Sequence, residues 1–154
     1  MDLGDLLSFE CKLSFLLLAF SLVAGMAIAA EDMGEYTVNV ATNDTLGTYL
    51  VNETGFSLYY FAKDAPGSGE SSCYAECMNA WPPFYAENIT VPESLNASEF
   101  TDAMRTDGEA QTAYRGWPLY HYYRDTKPGD VLGQNFNDAW FVVNATDFRP
   151  VVIS

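Results

Sequence analysis

Apolar and polar residues alternate from Tyr36 to Val40 and again from Thr48 to Val51, the period of two that predicts strands with one face covered. Asn52-Glu53-Thr54-Gly55 then supplies turn chemistry, and Phe56 to Ala62 resumes as an aromatic-rich strand, making a hairpin that ends at Lys63-Asp64. The ten residues Gly55-Phe56-Ser57-Leu58-Tyr59-Tyr60-Phe61-Ala62-Lys63-Asp64 return as Gly116-Trp117-Pro118-Leu119-Tyr120-His121-Tyr122-Tyr123-Arg124-Asp125. Both copies read Gly, aromatic, any, Leu, Tyr, any, aromatic, any, basic, Asp, a spaced agreement that duplication explains better than a shared aromatic bias. Within each strand Tyr59 and Phe61, or Tyr120 and Tyr122, take one face, and Leu58 and Tyr60, or Leu119, His121 and Tyr123, take the other. Neither face is polar, so the pattern predicts a strand buried between two layers, or one exposed aromatic platform.

The repeat extends beyond the aspartates. Ala65-Pro66-Gly67-Ser68-Gly69 and Lys127-Pro128-Gly129-Asp130 are loops by composition, and each is followed by a tryptophan, in Trp81-Pro82-Pro83-Phe84 and in Trp140-Phe141-Val142-Val143. Each unit therefore runs as hairpin, aspartate, loop and Trp-led segment. Between the units, Phe100, Ala103 and Met104 fall at helical spacing within Ser94 to Arg105, and Asp107-Gly108 is a dipeptide favoured in tight hairpins. Glu109 to Tyr114 reads as the returning strand, and Val151 to Ile153 as a last one. The fold expected is mainly β: two duplicated hairpin-centred units forming one compact sandwich or barrel-like domain. Residues 1–29 read as a leader, 30–46 as an extension holding a first strand, and 47–154 as the two-repeat domain, with repeat 1 about 47–91 and repeat 2 about 103–154.

The leader changes the chemical setting. Leu13 to Ala24 is apolar almost throughout, too short to span a bilayer, and Ala27-Ile28-Ala29 offers the small residues of a cleavage site. Asp2, Asp5 and Glu10 against Lys12 alone run counter to the usual basic start of such a segment. Cys11 precedes the apolar run, where a lipid-modified cysteine would follow it, so no lipid anchor is expected. A leader ending near Ala29 takes three acidic residues and one basic residue with it, so the net charge of −14 becomes −12. A field of that sign disfavours nucleic acid and anionic lipid as partners. With 154 residues and 49% hydrophobic content, the chain has enough material for one core.

Outside the cytosol Cys73 and Cys77 are most simply a disulfide, with a metal or redox pair as the alternative. Asn43, Asn52, Asn88, Asn96 and Asn144 each head an Asn-x-Ser/Thr triplet, so a glycosylated exported protein is a fair expectation. Asp64 and Asp125 admit a catalytic reading, since paired carboxylates serve hydrolases, and a local one, in which each binds the backbone of the loop that follows it. His121, Met78 and Met104 are sparse candidates for a metal; no cofactor is expected.

The Tyr-x-[Phe/Trp/Tyr]-x-x-Asp signature, present at Tyr59 to Asp64 and at Tyr120 to Asp125, resembles that of a secreted-repeat family of predicted bacterial and archaeal lipoproteins. Cys73, Cys77, Trp81-Pro82-Pro83, Arg105-Thr106-Asp107-Gly108, Gln111 and Gly116-Trp117-Pro118-Leu119-Tyr120 resemble its other fixed points, over about Gly47 to Val143. The resemblance implies an exported envelope protein, secreted or at the cell surface, and implies no reaction. The leading functional expectation is a non-catalytic binding or scaffold module. Its binding candidates are Tyr59, Phe61, Asp64, Trp81, Trp117, Tyr120, Tyr122, Asp125 and Trp140, and a cell-envelope component or glycan is the expected partner. The alternatives are an electron-transfer or metal-associated accessory protein and a glycan hydrolase working through Asp64 and Asp125.

Overall fold

The computed structural model describes residues 34–65 and 67–153. The leader, with Cys11 and its cleavage site, lies outside the described residues, as does Pro66. Strands β1 (Val38–Asn43) and β2 (Gly47–Asn52) pair antiparallel along their whole length. Their turn is closed by the Asn43 side chain, whose oxygen accepts the Thr45 and Leu46 amides at 2.9 and 3.3 Å. Asn52 closes the next turn in the same way, accepting from Thr54 and Phe56 at 3.0 and 2.9 Å, and the chain enters β3 (Tyr59–Phe61).

Ala97–Glu99 forms a short 3-10 turn, and then come β4 (Phe100–Asp102), β5 (Thr112–Tyr114), β6 (Trp117–Pro118) and finally β7 (Trp140–Val142). The sheets are β1-β2, β3-β7 and β4-β5-β6, all antiparallel and packed together without closing into a barrel. The domain is mainly β and built of two repeats.

Period-two alternation produces two cores, one on either side of the motif strands. Leu58, Tyr60, Leu119 and Trp117 enter the first with Val38, Leu50, Phe84, Phe100 and Val143. Tyr59, Tyr120 and Tyr122 enter the second with Tyr49, Val51, Trp81 and Trp140. The strands are thus covered on both faces, as the unbroken apolar pattern implies.

The two motif segments lie antiparallel, and their tyrosines exchange backbone hydrogen bonds: Tyr59 N–H to Tyr120 C=O and Tyr120 N–H to Tyr59 C=O, both 2.9 Å. Reciprocal bonds between equivalent residues are what a two-fold relation produces. The Trp-led segments, however, are exchanged between units. Val143 N–H reaches Leu58 C=O at 3.0 Å, while its counterpart Phe84 N–H reaches Leu119 C=O at 2.9 Å. Leu50 N–H meets Val143 C=O at 2.9 Å and Thr112 N–H meets Phe84 C=O at 2.8 Å. Ala62 N–H meets Ala139 C=O at 2.7 Å and Tyr123 N–H meets Ala80 C=O at 3.0 Å. Each hairpin is completed by the other repeat's tail, so neither unit closes its own sheet.

One ambiguous stretch is resolved and two local expectations are corrected. Ser94 to Arg105 forms no α-helix: beyond the 3-10 turn capped by Asn96, β4 pairs with β5, and Phe100 packs its ring on Tyr114 at 4.8 Å. Cross-strand packing overrides a helical spacing carried by only three residues. Asp107-Gly108 does not close a two-residue hairpin but lies within the longer 103–111 connection, because the Asp107 side chain is held by Arg105 and by the Glu109 amide. Val151 to Ile153 joins no sheet; it covers the first core with Ile153 N–H on Ala62 C=O and Val151 N–H on the Tyr60 hydroxyl.

The second motif copy also lacks a continuous ladder, since it faces Pro82 and Pro83 where the first faces Phe141 and Val142. Proline has no N–H, so His121 N–H on Pro82 C=O at 2.8 Å goes unreciprocated. A tight turn falls at Arg115-Gly116, both left-handed, where the sequence pattern turns the chain into the second repeat, and a Cβ on Gly116 would lie 2.5 Å from the Gly67 carbonyl oxygen.

Candidate functional site

The repeated tyrosines and aspartates meet at the centre, but across the repeats. The Tyr59 hydroxyl donates to Asp125 at 2.7 Å, and the Tyr120 hydroxyl donates to Asp64 at 2.9 Å. Each aspartate also fixes the loop that follows it. Asp64 accepts the Ser72 amide and hydroxyl at 2.8 and 2.7 Å, and Asp125 accepts the Leu132 amide at 3.0 Å. The Gly133 amide donates to the Tyr59 hydroxyl at 3.2 Å, and Ser71 shares a 2.8 Å bond with the Tyr120 hydroxyl. Gly133 has to be glycine here, because a Cβ would fall 2.7 Å from the Trp81 ring and 2.9 Å from Tyr59.

Burial, above all, pushes both tyrosine hydroxyls well above their ordinary range, and the facing carboxylates add to it. Burial also raises both aspartates above the usual carboxylate value, against the hydrogen bonds that lower them. The hydroxyls therefore serve as fixed donors.

Four rings form a column in the second core. Phe61 stacks on Trp140 at 4.2 Å, Trp140 on Trp81 at 3.8 Å with planes 1° apart, and Trp81 on Tyr122 at 4.3 Å. The equivalent tryptophans of the two repeats are thus in direct contact. Of the nine binding candidates, Phe61 alone is partly exposed; Tyr59, Asp64, Trp81, Trp117, Tyr120, Tyr122, Asp125 and Trp140 are buried. A surface platform made of Trp117, Tyr120 and Tyr122 is accordingly absent, for these rings are the cores.

Arg105 is a centre that its sequence context alone does not reveal. Its side chain is 1% exposed yet stands in a network: one guanidinium nitrogen donates to Ser71 at 3.0 Å and Gln111 at 2.7 Å, another to the Cys73 carbonyl at 3.3 Å and Asp107. Tyr74 packs its ring against the guanidinium at 4.7 Å. Gln111 in turn donates to the Leu119 carbonyl at 2.7 Å, so the arginine is wired to the motif strand. Cys73 and Cys77 form a disulfide with Cα atoms 5.4 Å apart, bracketing the start of helix α1 (Glu76–Ala80).

His121, Met78 and Met104 have separate surroundings. His121 meets the Phe84 ring edge-on at 5.6 Å, and burial lowers its pKa below the ordinary histidine value. The Met78 sulfur lies 3.1 Å from Arg105, and Met104 is exposed. Among the described residues no three His, Cys, Asp or Glu side chains gather as metal ligands, and no helix is long and apolar enough to cross a membrane.

The Asn-x-Ser/Thr triplets have a structural reason of their own. Asn43, Asn52, Asn96 and Asn144 each accept the amide two residues ahead, at 2.9, 3.0, 3.0 and 2.9 Å, closing turns with their side chains. Asn52 is buried, while Asn88 and Asn96 are exposed. Two surface features escape sequence patterning. Tyr123 and Phe136 flank the outer end of the ring column, both touching Tyr122. A groove of about 400 Å³ is lined by Val40, Thr48, Ser94, Leu95, Ala145 and Thr146.

No curated protein and no solved structure matches the chain. A family model does, twice, over residues 40–85 and 102–144, and the boundary between its two matches separates the two units of the fold. Together the matches span more than half of the chain, and the family is described as a secreted repeat of unknown function. The chain therefore belongs to this secreted-repeat family, whose description supports a secreted or cell-surface location.

Proposed function

We propose that the protein is a non-catalytic module of the cell exterior, a rigid two-repeat scaffold that binds an envelope component through its surface. The observation that carries this reading is the use of Asp64 and Asp125: both are buried, and each accepts a tyrosine hydroxyl from the other repeat together with the amide of its own loop. A carboxylate so engaged holds a fold together, whereas an acid or base must reach a substrate proton. Glycan attachment fits the exposed Asn88 and Asn96 and does not fit Asn52, and intact mass of the exported protein decides it.

Co-sedimentation of the purified exported domain with isolated envelope fragments tests the module reading. The domain is expected to sediment with the fragments while releasing no soluble sugar or peptide. Soluble product that accumulates with time and disappears in a folded Asp64→Asn variant would contradict it in favour of a hydrolase.

A further inference from the structure

We propose that the outer edge of β1, with the groove beside it, is a docking site for an extended, cationic segment of a partner protein. The inference deepens the binding half of the preceding reading and rests on it. Its starting point is the direction of the backbone groups in the first sheet. In β2, Leu50 N–H is taken by Val143 and Leu50 C=O by Leu58, while Thr48 C=O accepts from Ala145 and Asn52 N–H donates to Phe56. The even-numbered residues of β2 thus turn away from β1. Their partners across the ladder, Val38, Val40 and Thr42, must turn away from β2 in the same sense.

Val38 N–H is met by Thr90 C=O at 3.2 Å, but the outward N–H and C=O groups of Val40 and Thr42 have no partner among the described residues. An unpaired edge is a template for another strand, and soluble proteins ordinarily blunt it with charge, proline or a covering loop. Val38-Asn39-Val40-Ala41-Thr42-Asn43 carries neither a charge nor a proline. Beyond Thr90 no described segment hydrogen-bonds to this edge, and a groove lies between Val40 and Leu95.

That groove, about 400 Å³ and lined by Val40, Leu95, Ala145 and the hydroxyl residues Thr48, Ser94 and Thr146, has room for a small apolar side chain of an added strand. Main-chain pairing beside a side-chain socket is the geometry of strand addition. The charge of the partner follows from the surroundings. Exposed Asp44 and Glu93 adjoin β1 and the lining residue Ser94 in the chain, and neither is in an ion pair among the described residues, whereas Asp147 is paired with Arg149. With a net charge of −14 on the whole chain, a second copy is repelled and a basic segment attracted.

The test titrates the exported domain with a fluorescent short peptide of alternating valine and lysine, a counterpart with glutamate in place of lysine, and a lysine peptide in which every backbone amide is N-methylated. The lysine peptide is expected to bind, and the glutamate and N-methylated peptides to bind at least about tenfold more weakly. Thr42→Pro removes an outward N–H without touching the ladder to β2, and is expected to weaken the lysine peptide by about tenfold. If that variant fails to fold, the N-methylated peptide still gives the answer. Equal binding of the methylated peptide, no binding of the lysine peptide, or self-association of the free domain that Thr42→Pro abolishes would each overturn the inference. Co-sedimentation with envelope that survives without peptide binding overturns this inference alone, and absence of co-sedimentation overturns the module reading itself.

Discussion

After Asp64 the chain enters a segment held by the Ser72 amide and hydroxyl, the Cys73–Cys77 disulfide and the Arg105 network. After Asp125 it enters a segment with none of these, held by the Leu132 and Gly133 amides and shaped by left-handed Asn135, Asn137 and Asp138. The two segments also differ at the surface, for Leu132 and Phe136 stand exposed in the second and no described large hydrophobic side chain does in the first. Yet both segments deliver a tryptophan to the same place, and Trp81 and Trp140 end up stacked face to face. The constraint on this fold therefore lies in the exchanged tails and the tyrosine–aspartate bonds, and the loops between are free to solve a local problem in different ways.

The largest effect that sharpens this comparison is removal of either tryptophan. Trp81→Ala and Trp140→Ala are each expected to cost about 4 kcal/mol in denaturant unfolding, and to cost similar amounts, because each ring is the other's neighbour. Where the loops decide, the repeats should part. Arg105→Met takes the guanidinium donor from the Gln111 side-chain oxygen and the Cys73 carbonyl and is expected to cost about 3 kcal/mol, with no residue in the second loop whose loss matches it. Replacing Cys73 and Cys77 with serine should cost about 2 kcal/mol, since a bridge across so short a loop restricts the unfolded chain little.

The smallest effect is in the response to pH. His121 stands where repeat 1 has Tyr60, and burial lowers its pKa from 6.5. The folded state then binds fewer protons than the unfolded one, so this contribution is complete above pH 6.5 and lost as the pH falls through the lowered value. Asp64 and Asp125, raised from 3.8, act with the opposite sign: their contribution is complete below 3.8 and lost as the pH rises through the folded values. His121→Gln should flatten the fall in stability just below pH 6.5 and leave the behaviour of the aspartates intact, as unfolding curves across that range would show.

What the sequence disclosed and what it hid divide along the same line. Tyr59 and Phe61 against Leu58 and Tyr60 was readable because a strand's period is local, and the two cores fall on the predicted faces. The Asn52-Glu53-Thr54-Gly55 turn was readable because Gly55, at φ 84°, can take the left-handed conformation that the turn uses. The exchange of tails was not readable, since Val143 meets Leu58 across most of the domain and nothing near either residue names its partner. Arg105 was visible only as a point of family resemblance, because a buried arginine is defined by what surrounds it. The unpaired edge of β1 depends on where the Thr90 segment departs, which no periodicity encodes.

The interlocking itself is tested most directly by double-mutant cycles on the central hydroxyls. Tyr59→Phe combined with Asp125→Asn should show a coupling of about 1 kcal/mol in unfolding free energy, and Tyr59→Phe combined with Asp64→Asn should be additive within about 0.5 kcal/mol. Coupling that instead links Tyr59 to Asp64 of its own repeat, with Tyr59 and Asp125 additive, would mean that each unit closes on itself and that the exchange described here does not hold the protein together.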